Sequence, residues 1–102
     1  MSATDTKWLR YVILLKKTGR PMDGDMLAGH IRHLRELARK GQLVMGGPFQ
    51  NGDGGMLIIK APSHLEARRI AESDPFVSGG IENYELRTWE ISCEENNHLG
   101  AG

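Results

Sequence analysis

The chain has 102 residues, and its 13 basic residues balance 13 acidic ones, which leaves a formal net charge of +0. A chain of this length holds one domain, and it lacks the clustered Lys and Arg that nucleic-acid binding requires. Its longest apolar run, residues 11–15, is far shorter than the roughly 20 residues that span a bilayer. We therefore expect a small globular domain that binds neither nucleic acid nor a membrane.

The cysteine content and the first residues of the chain indicate where the protein works. Cys93 is the single cysteine, so no intramolecular disulfide can form. Residues 1–7 are polar and lack the apolar stretch that a signal peptide requires. These features predict a cytoplasmic protein.

The first predicted elements are a strand and a helix. Residues 8–15 are rich in β-branched and aromatic side chains and are mostly apolar on both alternating faces, as in a buried strand. The acidic turn at residues 23–25 offers capping side chains for an amphipathic helix that extends to about Lys40. Gly41 follows, where a helix commonly ends in a left-handed residue.

A β-hairpin is predicted next. Residues 43–49 and 56–60 have the composition of strands, and the turn between them is rich in Gly and Asn. The Gly46-Gly47 pair within the first of these strands indicates a β-bulge or a ligand that approaches the backbone.

The last part of the chain predicts a second helix and a long final strand. Ser63 and Glu66 fit a capping box at the helix start, and the proline after Asp74 ends the helix. Residues 81–91 form the predicted strand. We expect a domain over residues 1–93 and a flexible C-terminal tail over residues 94–102.

The order of elements is βαββαβ, which predicts an α+β, ferredoxin-like fold with a four-stranded antiparallel sheet and both helices on one face. The first and third strands are apolar on both faces, so the face without helices also needs a cover. A second copy of the chain is the simplest cover, and we therefore expect a homodimer.

His30 and Asp74 are the candidate catalytic residues. His30 lies near the middle of the apolar arc of the first helix, and an imidazole titrates near neutral pH. Asp74 lies three residues after Ala71 and seven after Ala67, so it extends the inward face of the second helix. The two helices lie side by side in this fold, which allows the two side chains to meet.

Other interpretations stand beside this one. A lone histidine on an apolar face is commonly a satisfied core residue, and Asp-Pro is a common turn opener. His30 and His33 share one side of the helix and have metal-ligand spacing, but no third ligand is evident in the sequence. Cys93 lies at the end of the last predicted strand, and we interpret it as incidental.

At these residues the sequence resembles the YCII (YciI-like) family. The resemblance extends from residue 8 to residue 89, and its main motifs are His30, Gly47-Pro48-Phe49 and Asp74-Pro75-Phe76. It implies a dimeric α+β barrel in which His30 and Asp74 form the active-site pair. Some relatives are dehydrochlorinases of chloroaromatic breakdown, and related barrels include muconolactone isomerases. Many relatives have Arg-Pro directly before the histidine, whereas Leu27-Ala28-Gly29 stands here, so no substrate-anchoring arginine carries over.

The leading hypothesis is an enzyme without metal or organic cofactor that acts on a small organic, aromatic-derived substrate. His30 would serve as acid or base and Asp74 would orient it, for elimination, isomerisation or hydrolysis. Substrate contacts are expected from four residues: Phe49, Phe76, Gly46 and Gly47. The alternative is a non-catalytic small-molecule-binding or accessory dimeric module, because one fold hosts both kinds of function.

Overall fold

The computed structural model describes residues 6–100. Its elements are β1 (Leu9–Lys17), α1 (Gly24–Arg39), β2 (Leu43–Pro48), β3 (Gly55–Ile59), α2 (His64–Ser73), α3 (Pro75–Ser78) and β4 (Glu82–Glu90). Short 3-10 segments, Thr6–Trp8 and Glu94–Gly100, flank them. Among the helices of residues 6–100, none combines the length and the apolar content that crossing a bilayer needs.

The four strands form one antiparallel sheet in the order β2-β3-β1-β4. Ile13 at the centre of β1 lies opposite Leu57 of β3 on one side and Leu86 of β4 on the other. This order, with helices connecting β1 to β2 and β3 to β4, confirms the predicted α+β, ferredoxin-like fold.

The hydrophobic core lies between the sheet and the helices. Alternate residues of β1 and β3 meet two alanines of α2 there: Tyr11, Ile13, Leu15, Leu57, Ile59, Ala67 and Ala71. Ala67 and Ala71 are buried and carry only a methyl group, so α2 lies close to the sheet. The final residues of α2 are therefore held near the core.

The boundaries of α1 follow the predicted capping signals. The Asp23 carboxylate accepts a hydrogen bond from the Met26 backbone N–H at 2.8 Å. At the other end Gly41 has φ of +73°, and the N–H of Gln42 donates to the Leu37 carbonyl at 2.8 Å. This Schellman-type end satisfies the last carbonyls of the helix and turns the chain into β2.

The start of α2 realises half of the predicted capping box. Ser63 Oγ accepts a hydrogen bond from the Glu66 N–H at 3.1 Å. The Glu66 carboxylate pairs with Arg69 at 3.2 Å instead of reaching back to the cap. The reciprocal bond was therefore a wrong prediction, although the helix begins where the sequence indicated.

Two further predictions concern the hairpin and the chain end. The register shift in β2 lies between Leu43 and Met45, before the glycine pair where we expected a bulge.

In the C-terminal segment the Asn96 side chain accepts from the Cys93 N–H at 3.0 Å and donates to the Ile91 carbonyl at 2.7 Å. Residues 101–102 of the predicted tail lie outside the described residues, and its flexibility stays a prediction.

Candidate active site

Asp74 lies at the junction of two helices. It ends α2 and caps α3, and its Oδ1 accepts a hydrogen bond from the Phe76 N–H at 2.9 Å. The residue is 1% exposed. The free N–H groups at the start of a helix favour negative charge, so the turn formed by α3 compensates the unfavourable end of α2. A buried carboxylate is tolerated here because of this junction.

His30 reaches Asp74 because α1 and α3 approach closely. Gly29 is buried, and a Cβ atom at that position would lie only 3.1 Å from Pro75 Cγ. The absence of a side chain at Gly29 allows the neighbouring His30 to place its Nδ1 atom 2.9 Å from both carboxylate oxygens of Asp74. The structure thus brings the two predicted residues into direct contact.

The contact determines which nitrogen of the neutral imidazole carries the proton. An ionised carboxylate can only accept hydrogen bonds, so Nδ1 of His30 is the donor. The other ring nitrogen, Nε2, then has a free lone pair. The His30 side chain is 15% exposed and lines a cavity, so this lone pair is available to a bound molecule.

Phe76 fixes the imidazole from its flat side. The two ring centroids are 4.0 Å apart and the ring planes differ by 6°, which is a parallel stack. The face of an aromatic ring carries partial negative charge and attracts a cation. The stack therefore fixes the orientation of the His30 ring beside Asp74.

The cavity beside His30 has a volume of about 280 Å³ and is partly open to solvent. Its walls are mainly apolar and come from α1, the hairpin and α3; they include Leu27, Leu34, Leu43, Leu57 and Phe76. Gly46, Gly47 and Gly55 also line it and leave room beside the sheet. The volume lies near the lower end of typical ligand sites, which suits a molecule of about one ring.

Glu82 is a site residue that sequence reasoning missed. It lines the cavity at the start of β4 and is 7% exposed. Burial raises the pKa of the Glu82 carboxyl, the Asp74 carboxylate raises it further, and His30 and Lys17 oppose the rise. The alternation of Glu82 with the inward Tyr84 and Leu86 was the signal that could have revealed it.

His33 is partly buried on α1, three residues after His30. Burial lowers the pKa of its imidazole; Asp74 partly offsets that effect and His30 adds to it. Its Nε2 atom is buried without a hydrogen-bond partner among the described residues. Within residues 6–100 no three His, Cys, Asp or Glu side chains form a group that could hold a metal ion.

The structure separates the four residues predicted to contact a substrate. Gly46, Gly47 and Phe76 line the cavity beside His30. Phe49 does not; it is 41% exposed and lines two other hollows. Within this chain, Phe49 is therefore not brought together with His30.

Comparisons with known proteins agree with these observations. The uncharacterized protein YjpA of Bacillus subtilis (strain 168) is 32% identical over 81 residues, which make up 79% of this chain and 94% of that protein. One similar structure is 5-chloro-2-hydroxyhydroquinone dehydrochlorinase (TftG) from Burkholderia phenoliruptrix AC1100, in complex with 2,5-dihydroxybenzoquinone. Its TM-score is 0.62 at 26% identity, and the match covers 79% of this chain and 93% of that chain. The model of the YCII-related domain matches residues 9–90, and the chain therefore belongs to the YCII-related family.

Proposed function

We propose that the protein is an enzyme that uses His30 and Asp74 for acid–base chemistry on a small organic substrate. The observation that carries the proposal is the 2.9 Å contact between His30 Nδ1 and the buried Asp74 carboxylate, made at the wall of an apolar cavity. A catalytic base needs a fixed ring, a free lone pair and access to substrate, and this arrangement provides all three.

In the proposed reaction His30 Nε2 takes a proton from a hydroxyl group or an acidic C–H group of the substrate. The ring becomes an imidazolium ion, which the Asp74 carboxylate stabilises through the Nδ1–H bond. Phe76 supports the same charge from its ring face. These side chains hold and move the proton without a metal or an organic cofactor.

The fate of that proton defines the reaction type. Return of the proton to a different atom of the substrate gives an isomerisation. If His30 keeps the proton and chloride leaves with the electrons of its C–Cl bond, the substrate loses HCl, and the reaction is an elimination. The similar structure is a dehydrochlorinase, which favours elimination from a chlorinated, hydroxylated ring. Hydrolysis through a water activated by Nε2 is the third type that this base could support.

The test measures chloride release from 5-chloro-2-hydroxyhydroquinone, with 2,5-dihydroxybenzoquinone as a binding probe. We expect His30→Gln and Asp74→Asn each to reduce turnover about 100-fold or more, because a positioned acid–base group contributes about 10²–10⁴-fold. His64→Gln is the matched control, since His64 is an exposed histidine on α2 outside the cavity. Thermal unfolding of each variant checks that the fold is intact.

The outcomes separate an enzyme from a binding module. Turnover that survives in a folded His30→Gln variant would contradict the proposed chemistry. Binding of the quinone probe without turnover of the chlorinated compound, even in the unaltered protein, would favour a non-catalytic module with the same cavity.

A further inference from the structure

A second ionisable group lies in the cavity with His30. Glu82 is the first residue of β4 and pairs with Lys17 of β1 in the sheet. Residues two and four positions further along β4, Tyr84 and Leu86, pack against the core, so Glu82 points to the same side of the sheet. It is 7% exposed and lines the cavity that His30 lines.

Among the residues that the structure describes, no protein group satisfies the Glu82 carboxylate. Within residues 6–100 its side chain has no hydrogen-bond or ion-pair partner. The titratable groups that face it are His30 from α1, Asp74 from the α2–α3 junction and Lys17 from β1. Burial and the negative charge of Asp74 raise the pKa of Glu82 above its ordinary value of 4.5, and the two bases only oppose this effect.

A ligand in the cavity changes the relative stability of the charged and the protonated forms of Glu82. A molecule that expels water removes the remaining hydration of the Glu82 carboxylate, which makes its charged form costly. An acceptor oxygen on the ligand cannot pair with an ionised carboxylate, since both only accept hydrogen bonds. The same oxygen can pair with a protonated carboxyl group, which has an O–H to donate.

We propose that Glu82 is the second ligand-contacting residue of this site, a carboxyl group that holds a proton when the cavity is filled and donates it in a hydrogen bond to a ligand oxygen. The inference rests on the proposed function, in which His30 faces the acidic hydrogen of the same molecule. It specifies the substrate class as a small, mainly apolar molecule with an acidic hydrogen and a separate acceptor oxygen, as in hydroxylated quinones and their reduced forms.

The pH dependence follows from this coupling. Binding favours the protonated form of Glu82, so the pKa of this carboxyl group is higher in the complex than in the free protein, and binding takes up a proton between these two pKa values. Affinity consequently falls as the pH rises through this range, and the Glu82 contribution is constant below it.

Titration calorimetry with 2,5-dihydroxybenzoquinone, from about pH 5 to about pH 8 in buffers of different ionisation enthalpy, measures both quantities. Glu82→Gln keeps a hydrogen-bond donor but cannot titrate, so we expect affinity close to that of the unaltered protein at low pH and loss of the linked proton uptake. Glu82→Ala removes the donor, and we expect about tenfold weaker binding at low pH. Glu90→Gln is the matched control, because Glu90 is an exposed glutamate on the same strand.

Three results would overturn the inference. In the first, Glu82→Gln takes up as many protons on binding as the unaltered protein. In the second, Glu82→Ala binds the probe as tightly as the unaltered protein at low pH. In the third, the unaltered protein does not bind the probe at millimolar concentration. A His30→Gln variant separates the two proposals. If it loses turnover while the Glu82 variants bind normally, only this inference fails; if it keeps turnover, the proposed base fails and the Glu82 result stands.

Discussion

Asp74 is a single residue with two structural tasks. It caps α3 through the Phe76 N–H and orients the ring of His30. Asparagine is also a good cap, whereas alanine is not. Asp74→Asn therefore removes the negative charge from His30 with little loss of the helix start, and Asp74→Ala removes both, which makes the asparagine variant the cleaner probe of catalysis.

His33 gives a prediction about acid stability. Burial lowers the pKa of its imidazole, so between its ordinary value of 6.5 and its folded value the unfolded chain binds more protons than the folded protein. The contribution to stability is complete above pH 6.5 and is lost as the pH falls through the folded pKa. When the pH is lowered from about 7.5 to about 5, we expect the free energy of unfolding to fall less for His33→Gln than for the unaltered protein, as measured by urea unfolding. Equal losses in the two proteins would contradict this, and the exposed His64→Gln should behave like the unaltered protein.

At the residue scale, periodicity found some site residues and missed others. His30 and Asp74 were predictable because each occupies an inward position of an amphipathic helix. Glu82 was missed because it stands at the beginning of a strand, where a glutamate usually faces solvent. Its alternation with Tyr84 and Leu86 was the one local signal of its inward position. Phe49 follows a glycine and a proline at a strand end, and no local pattern specified which face of the sheet it would join.

At the scale of elements, α3 is the feature that positions the site. Sequence reasoning treated Asp74-Pro75 as the end of a helix. Proline is also favoured in the first turn of a helix, so the same pair ends α2 and begins α3. The short helix was not predicted because its four residues carry no periodic pattern.

The glycine pair of β2 allows a matched test of how this element shapes the cavity. A Cβ atom on Gly46 would lie 2.5 Å from Leu57 Cδ2 and 3.1 Å from the Met56 carbonyl oxygen, whereas one on Gly47 would meet nothing within 4 Å. Leu57 is buried and cannot move without disturbing the core. We expect Gly46→Ala to lower the free energy of unfolding by about 1–3 kcal/mol and Gly47→Ala to change it by less than about 0.5 kcal/mol. Chemical denaturation measures both free energies of unfolding. Equal effects of the two substitutions would contradict the close packing of Gly46 and the open space beside Gly47.

At the scale of the whole molecule, the face of the sheet without helices carries an apolar hollow. A hollow on that face is lined by Val12, Leu14, Met56, Ile58 and Trp89, together with two polar residues. Trp89 is 46% exposed, and Met45, which pairs with Ile58 in the sheet, is 61% exposed. Exposed apolar surface is typical of interaction sites, and a homodimer through this face stays our prediction.

A charge placed on this face tests the dimer. We expect the unaltered protein to sediment as a dimer and Trp89→Glu to sediment as a monomer, because an unpaired carboxylate in an apolar interface is costly. Leu65→Glu is the matched control, since Leu65 is 55% exposed on α2, away from this hollow. A monomeric unaltered protein, or equal behaviour of the two variants, would contradict the prediction.

The global topology followed from the sequence because the βαββαβ order allows few antiparallel arrangements with both helices on one face. What covers the opposite face did not follow, because alternation shows that a strand is apolar on both sides without showing what it meets. The His30–Asp74 contact depends on both levels: the topology brings the helices together, and Gly29 sets how closely α1 approaches Pro75.

The tautomer of His30 is the most direct test of the central claim. Long-range ¹H–¹⁵N NMR of the histidine rings distinguishes a protonated from an unprotonated ring nitrogen. For neutral His30 we predict a protonated Nδ1, bonded to Asp74, and an unprotonated Nε2, with Nδ1 losing this preference in Asp74→Asn. A protonated Nε2 with an unprotonated Nδ1 in the unaltered protein would leave no base facing the cavity and would contradict the account.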